Sequence, residues 1–160
     1  MNIYSKYERL LIQSNFTIIS FDKARPWGGF FVITEAQSQD FANKYFDGID
    51  VSLLKIGGGL SPKILVIAPE KRLSWQYHLR RAEIWRVIEG KVGIKRSTNN
   101  IEGELEIFDL GDTITLQQGE RHRLIGLDDY VVIAEIWQHT DANHPSDEDD
   151  IVRVQDDFGR

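Results

Sequence analysis

The chain has 160 residues, of which 41% are hydrophobic and 28% charged, and its formal net charge is −6. This length suits one domain with a buried core. The negative charge argues against a general nucleic-acid or anionic-membrane ligand. Because the sequence contains no cysteine, disulfides, thiolate metal sites and cysteine nucleophiles are excluded.

Short helices and strands are predicted in the N-terminal part. Ser5 and Glu8 have the spacing of a capping box, and Tyr7, Leu10 and Leu11 give the predicted helix an apolar side. The first residues lack the apolar core of a signal peptide, and no apolar run is long enough to span a bilayer. We therefore expect a cytoplasmic protein without a membrane partner.

Two strands are predicted next, at 16–21 and 30–33, with a turn at 25–29 between them. A second short helix should end near Gly48.

From residue 63 onward the sequence predicts short strands separated by turn signals, as in a sandwich or barrel. These strands are 63–68, 73–78, 83–88, 92–97, 104–110, 113–117, 121–127 and 130–137. The fold class is therefore mostly antiparallel β, with short N-terminal helical segments.

The end of the chain is acidic, yet it carries apolar residues at Ile151, Val152, Val154 and Phe158. These residues predict that the tail docks on the domain. We divide the single domain, 1–160, into an N-terminal extension (1–60), a barrel core (61–138) and a docking tail (139–160).

Two segments carry the residues with the clearest chemistry. Gln76 and His78 are two positions apart, so on a strand they share a face. Glu83 follows a short turn that would return its carboxylate to the same pocket, and a turn at Gly119 would aim His122 inward. Imidazole and carboxylate together suit one divalent ion, with zinc first and cobalt, manganese, nickel or iron as alternatives.

Both segments resemble the two cupin motifs, G-x5-H-x-H-x4-E-x6-G and G-x5-P-x-G-x2-H-x3-N. The spacing is kept throughout, with Glu70 at the first glycine position and Gln76 at the first histidine. Gln117 replaces the proline, and Gly126 replaces the final asparagine. The resemblance implies a cupin double-stranded β-helix, a jelly-roll barrel.

A narrower resemblance, to the type II mannose-6-phosphate isomerase family, covers nearly the whole chain from Arg25. The matching blocks are 25–28, 63–69, 73–85, 119–124 and 148–160. The resemblance implies that Gln76, His78, Glu83 and His122 are metal ligands. It also implies that the protein interconverts mannose 6-phosphate and fructose 6-phosphate.

Some positions depart from the family pattern. Leu79, Arg80 and Ile84 stand where the family often has histidines, and the absence of a histidine at 84 could alter the substrate or remove an acid or base. The substrate could therefore be another sugar phosphate, such as a heptose phosphate. A sugar epimerase and a non-catalytic sugar-phosphate-binding cupin are further alternatives.

Isomerisation requires removal of a proton next to a carbonyl. The base could be Glu135, on the strand 130–137, or a hydroxide on the metal. The family match favours Lys63, Arg153 and Arg160 as phosphate ligands. Arg160 becomes the second catalytic candidate, after Glu135, if the tail folds over the barrel mouth; the alternative for Arg153 and Arg160 is a role in surface ion pairs.

Several other residues receive structural interpretations. Lys71–Arg72 and Arg80–Arg81 are expected to be solvated turn charges, and His139 and His144 are not expected to be ligands. The tryptophans are expected in the core or an interface because each buries a large area. An exposed sheet edge predicts a homodimer.

Overall fold

Two antiparallel β-sheets form the framework of the protein in the computed structural model, which describes residues 2–160. Three helices are present, together with a short 3₁₀ turn at Glu35–Gln37: α1 (Ile3–Gln13), α2 (Ser38–Tyr45) and α3 (Ser52–Lys55). The strands are β1 (Ile18–Arg25), β2 (Gly28–Ile33), β3 (Lys63–Ile67), β4 (Trp75–Tyr77), β5 (Arg81–Glu89), β6 (Val92–Ser97), β7 (Glu106–Phe108), β8 (Thr113–Leu116), β9 (Arg121–Gly126), β10 (Val131–His139) and β11 (Val152–Gln155).

The first sheet has the strand order β1-β2-β3-β10-β5-β8, and the second has the order β11-β4-β9-β6-β7. Every pairing in both sheets is antiparallel. Leu65 and Val87 of the first sheet belong to one buried cluster with Ile94 and Leu124 of the second. This arrangement confirms the predicted jelly-roll barrel.

The first sheet is covered on both faces. Along β3, Ile64 and Val66 belong to a cluster with the helices, whereas Leu65 and Ile67 belong to the cluster between the sheets. This follows from the two-residue period of a strand. A strand buried on both faces reads as a continuous apolar run, as 64–67 does.

The capping-box prediction at Ser5 is wrong. The cap of α1 is Asn2, whose side chain accepts a hydrogen bond from the Ser5 N–H at 2.8 Å. Asn is as good a cap as Ser, so the helix begins one turn earlier than the sequence pattern indicated. The short helix α3 was not predicted either. No helix in the described range 2–160 combines the length and apolar character that a membrane crossing needs.

Several predicted strand ends are displaced. The strand predicted at 16–21 is Ile18–Arg25, so the turn before β2 is shorter than predicted. The strand predicted at 73–78 is three residues long, Trp75–Tyr77, and the one predicted at 104–110 is Glu106–Phe108.

The C-terminal residues form the edge strand of the second sheet. In β11, Val152 pairs with Tyr77 and Arg153 pairs with Gln76. Of the apolar residues of the tail, Ile151, Val152 and Phe158 are partly buried, whereas Val154 is 36% exposed. Backbone pairing, polar contacts and partial apolar burial together hold this segment.

Buried and paired arginines contribute these polar contacts. Arg72 is a partly exposed charge, as predicted, and it donates two hydrogen bonds to Asp157, at 2.6 and 2.9 Å. Arg123 is 1% exposed and donates to the Leu73 carbonyl oxygen at 2.8 Å and to the side chain of Gln155. The last strand is thus tied to the outer side of the second sheet.

The backbone conformation explains what residue each of two departures from the cupin motifs can accept. Glu70 occupies the first glycine position with φ of 59°, the left-handed conformation that glycine adopts without strain. At Gly126, a Cβ atom would lie 2.1 Å from the Ala68 carbonyl oxygen, so no side chain fits there.

Replacing Glu70 by glycine should therefore leave the free energy of unfolding unchanged or raise it. The left-handed conformation costs a non-glycine residue about 1 kcal/mol, which offsets the added entropy of a glycine in the unfolded chain. Lys71→Gly is the matched control, and it should lose about 0.5–1 kcal/mol. Urea unfolding measures both, and an equal loss in the two variants would contradict the strain at Glu70.

Candidate metal centre

Three buried side chains converge between the sheets. His78 Nε2 lies 2.7 Å from Glu83 Oε1, and His122 Nε2 lies 3.1 Å from the same oxygen. The three residues are at most 3% exposed, and their candidate ligand atoms lie within 4.8 Å of one another. The structure therefore brings together three of the four residues predicted as metal ligands.

The strand geometry explains this convergence. Gln76 pairs with His122 across β4 and β9, and His78 lies two residues beyond Gln76, so all three point to the same side of the second sheet. Glu83 lies in β5 of the opposite sheet, where Trp85 shares its inward face. The short turn between β4 and β5 carries the chain from one sheet to the other.

Each histidine has its second ring nitrogen on a backbone carbonyl. His78 Nδ1 lies 2.6 Å from the Asp150 oxygen, and His122 Nδ1 lies 2.9 Å from the Glu120 oxygen. Because a carbonyl oxygen only accepts, each neutral imidazole carries its proton on Nδ1 and directs the lone pair of Nε2 at Glu83. This is the tautomer that a metal-ligating histidine needs.

The three converging atoms fit a divalent cation. Among the described residues, His78 Nε2, Glu83 Oε1 and His122 Nε2 have no partner in hydrogen-bonding geometry, although they are close and fully buried. With both imidazoles neutral, three buried acceptors face one another without a donor, which is costly. A cation between them would satisfy all three, and two imidazoles with one carboxylate suit zinc and its neighbours in the first transition row.

Gln76 is placed beside this group. Its Oε1 accepts a hydrogen bond from Ser74 Oγ, and its side chain lines the adjoining cavity. A carboxamide oxygen has two lone pairs, so one remains for a cation. Gln76 as a fourth ligand stays a prediction.

A cavity of about 510 Å³ opens next to the group. His78, Glu83 and Gln76 are part of its wall. The charged residues around the rest of the wall are Arg25, Lys63, Arg81, Arg153, Arg160, Glu135 and Glu148. Basic residues outnumber acidic ones here in a chain whose net charge is −6, so the cavity is suited to an anionic ligand.

The three predicted phosphate ligands all line this cavity. Lys63 Nζ lies 2.7 Å from Glu148 Oε1, and Arg160 Nε donates to Asp156 Oδ2 at 2.8 Å. Arg153 is exposed on β11. The expected ion pair of Arg160 thus exists, and phosphate binding by the three residues stays a prediction.

Glu135 reaches the cavity from β10, between Lys63 and Trp85 on the neighbouring strands. Its Oε1 accepts a hydrogen bond from Trp85 Nε1 at 3.1 Å. Burial, followed by the charge of Glu83, raises the pKa of Glu135 well above its usual range. Burial opposes ionisation of Glu83 too, but its neighbours, His78 foremost, hold its pKa well below that range. Of these two carboxyl groups, that of Glu135 therefore takes up a proton more readily.

Arg81 is a site residue that sequence reasoning missed. It is 5% exposed, so the prediction of a solvated turn charge is wrong. Its Nη1 donates to Ser146 Oγ and to the Asp147 carbonyl oxygen, both at 2.9 Å, and its guanidinium carbon lies 3.9 Å from the centre of the Trp137 ring. Its position two residues before Glu83 on the same strand was the available signal, because alternation places both on the inward face.

Position 84 does not face the cavity. Ile84 packs against the helix-side cluster, as the alternation along β5 requires. The prediction that losing a histidine at 84 removes a group from the site is therefore wrong. Leu79, at another departure from the family pattern, is 56% exposed.

The other structural interpretations can be checked by burial. The four tryptophans, Trp27, Trp75, Trp85 and Trp137, are at most 6% exposed, which confirms their placement in the core. His139 is buried, but its Nδ1 accepts from the Ser146 N–H and its Nε2 contacts the Gly59 carbonyl oxygen, so both nitrogens are occupied. His144 is exposed beside Asp141.

The fold and the site together define a cupin with a buried His–Glu–His group that could bind a metal. The family described as "Mannose-6-phosphate isomerase C-terminal" matches residues 46–156, more than half of the chain. The chain therefore belongs to this family, which confirms the resemblance drawn from its sequence blocks. None of the curated proteins compared with the chain matches it.

Solved structures share the fold at low sequence identity. Vicilin from hazelnut, Corylus avellana, has a TM-score of 0.57 at 15% identity, over 87% of this chain and 36% of its own. The capsular polysaccharide assembling protein CapF from Staphylococcus aureus has a TM-score of 0.55 at 14% identity, over 86% and 34%. A structure of DMSP lyases has a TM-score of 0.52 at 16% identity, over 82% and 56%. The chain spans less than two thirds of each, and their different roles show that this fold does not determine function.

Removing either histidine of the group should abolish metal uptake. After chelation and dialysis against zinc, the wild-type chain should retain about one ion per chain, whereas His78→Ala and His122→Ala should retain almost none, since each loses a ligand. His144→Ala is the control and should match the wild type. Elemental analysis measures the ratio, and full retention by His122→Ala would contradict the site.

Proposed function

We propose that this chain is a metal-dependent aldose–ketose isomerase that interconverts mannose 6-phosphate and fructose 6-phosphate, with zinc as its resident ion. The observation that carries the proposal is the group of three converging acceptors beside a cavity with a basic wall. Membership of the mannose-6-phosphate isomerase C-terminal family supports it. A volume of about 510 Å³ suits a hexose phosphate.

Isomerisation moves a proton between neighbouring carbons and develops negative charge on the two sugar oxygens. A divalent ion held by His78, Glu83 and His122, with Gln76 as fourth ligand, would supply a Lewis acid for that charge. The carbonyl partners of the two imidazoles keep both rings in the orientation that this role requires.

Glu135 is the residue proposed to move the proton. It lines the cavity, and the indole of Trp85 and the carboxylate of Glu83 hold it in place. A carboxyl group whose pKa is raised by burial is closer to the range in which a group can both accept and return a proton near neutral pH. The exclusion of water that raises this pKa strengthens the local electrostatics as well.

Lys63, Arg153 and Arg160 are proposed to hold the phosphate, and Arg160 would close over the sugar. Two of the three have carboxylate partners in the structure, Glu148 and Asp156. The side chain of Glu148 is 67% exposed, so exchanging its carboxylate for a phosphate costs Lys63 little.

Other substrates remain as defined alternatives. An isomerase of another sugar phosphate, such as a heptose phosphate, would use the same groups, and so would a sugar epimerase. A non-catalytic sugar-phosphate-binding cupin would use the basic wall alone. Because Ile84 faces away from the cavity, the absence of a histidine there does not favour these alternatives.

We also propose that the protein acts in the cytoplasm and forms a homodimer. The edge strand β1 supports the second point, because its Ile19 and Phe21 side chains are 59% and 55% exposed. An exposed edge strand can pair with the same strand of a second copy and form a dimer interface.

A coupled assay of mannose 6-phosphate conversion to fructose 6-phosphate tests the reaction. Chelator-stripped protein should be inactive, and zinc, cobalt, manganese or nickel should restore turnover in the wild type and in His144→Ala. His78→Ala should stay inactive, because its metal ligand is missing. Metal binding without turnover would contradict the mannose 6-phosphate assignment and favour another sugar phosphate or the binding-only alternative.

Replacing Arg160 by glutamine should raise the KM for the sugar phosphate about tenfold or more, because a hydrogen bond to a charged group contributes about 1.5–3 kcal/mol. Steady-state kinetics over a range of substrate concentrations measure the effect. Arg9→Gln, an equal charge change on the exposed side of α1, is the control and should leave the KM unchanged. An unchanged KM in Arg160→Gln would mean that Arg160 serves only its ion pair with Asp156.

A further inference from the structure

The two histidines of the metal centre are held in different ways. His122 Nδ1 donates to the carbonyl oxygen of Glu120, two residues earlier in the chain. His78 Nδ1 donates to the carbonyl oxygen of Asp150, which is 72 residues away. The orientation of His122 is therefore a local property of its own loop, whereas that of His78 requires the C-terminal segment, residues 145–160, to be docked.

The side chain of Asp150 fixes this contact from a second direction. It is 5% exposed, and its two oxygens accept hydrogen bonds from the Leu79 N–H at 2.9 Å and the Arg80 N–H at 3.0 Å. A third bond comes from Ser146 Oγ at 2.7 Å. Asp150 thus holds both the ring of His78 and the backbone immediately after it.

The same segment also reaches the proposed ligand site. Directly after Asp150, Ile151 lines the cavity, and β11 then places Arg153 beside Gln76. Arg160 lines the cavity from the end of the segment. One stretch of chain therefore touches the metal centre through Asp150 and the cavity through its arginines.

We infer that Asp150 is a positioning residue for the metal centre, and that docking of the C-terminal segment sets the metal affinity. With the segment docked, the Asp150 carbonyl selects the tautomer and direction of His78 Nε2. With the segment detached, His78 loses both the carbonyl and the fixed turn. The inference rests on the metal site of the proposed function, but it does not depend on which sugar is converted.

Thermodynamic linkage makes the effect reciprocal. If docking strengthens metal binding, then metal binding stabilises docking by the same free energy. A residue that only anchors the tail would lower the stability of the segment without this coupling. The two roles are therefore separated by measuring metal affinity and segment stability together.

Asp150→Asn tests the positioning role, with Asp149→Asn as the matched control. An amide offers one acceptor oxygen, and its NH₂ group would face the N–H donors of the turn. Titration of chelated protein with Co²⁺, followed by the visible absorption of the bound ion, gives the dissociation constant. We expect Co²⁺ binding about 10–100-fold weaker in Asp150→Asn and unchanged in Asp149→Asn, which is the usual effect of losing a group that orients a metal ligand.

Hydrogen exchange of the wild-type chain gives an independent reading that needs no variant to fold. Co²⁺ should slow exchange of the Leu79 and Arg80 amides, which donate to Asp150, and of the amides in β11. Protection limited to β9, or equal Co²⁺ affinity in both variants, would overturn the inference while leaving the metal centre intact. A wild-type chain that takes up no Co²⁺ would overturn the metal centre and this inference together.

Discussion

Three acceptor atoms face one another between the two sheets, and most of the local structure serves to keep them there. Two imidazole nitrogens and one carboxylate oxygen share a space from which water is excluded. Carbonyl oxygens accept from the opposite ring nitrogens, so in the neutral rings the lone pair of each Nε2 is directed at Glu83. Without a cation, burying these unpaired acceptors has an unfavourable free energy. A bound cation would pair with them and would attract negative charge on a ligand to this part of the cavity wall.

Charged residues of both signs surround these three atoms. Arg81 lies 3.8 Å from the second oxygen of Glu83, and Trp137 packs on its guanidinium group. Burial, followed by the charge of Glu83, raises the pKa of Glu135, so its carboxyl group takes up a proton more readily than that of Glu83 does. Farther out, Lys63, Arg153 and Arg160 face the same cavity. The basic residues at the rim suit the phosphate of a phosphorylated sugar. An electrophilic metal ion inside would suit the oxygens at its carbonyl end.

The sequence predicts those features that depend on short-range periodicity. The two-residue period places Gln76 with His78, and the turn at Gly119 directs His122 inward, while the family resemblance implies that these residues and Glu83 are metal ligands. The same rule applied to the predicted strand 83–88 already places Ile84 opposite Glu83, and it would have found Arg81 had the strand been started at residue 81 rather than 83. A strand boundary displaced by two residues was enough to turn a buried guanidinium group into a predicted surface charge.

Features that depend on distant pairing were beyond the sequence. Apolar residues indicated that the tail docks, but they did not indicate its backbone pairing with β4 or its hydrogen bonds with Arg72. The link between Asp150 and His78 joins residues 72 apart, and no spacing rule connects them. The helix cap is a similar case. Asn and Ser have nearly equal capping strength, so local propensity could not indicate that Asn2 rather than Ser5 is the cap.

The most direct measurement is a crystal structure of the zinc-loaded protein with an anomalous difference map at the zinc edge. We expect one strong peak between the sheets, about 2.0–2.2 Å from His78 Nε2, Glu83 Oε1 and His122 Nε2. A peak at His144 and Asp141 instead, or no peak near Glu83 in fully loaded protein, would contradict the claim that these three buried acceptors exist to hold a metal ion.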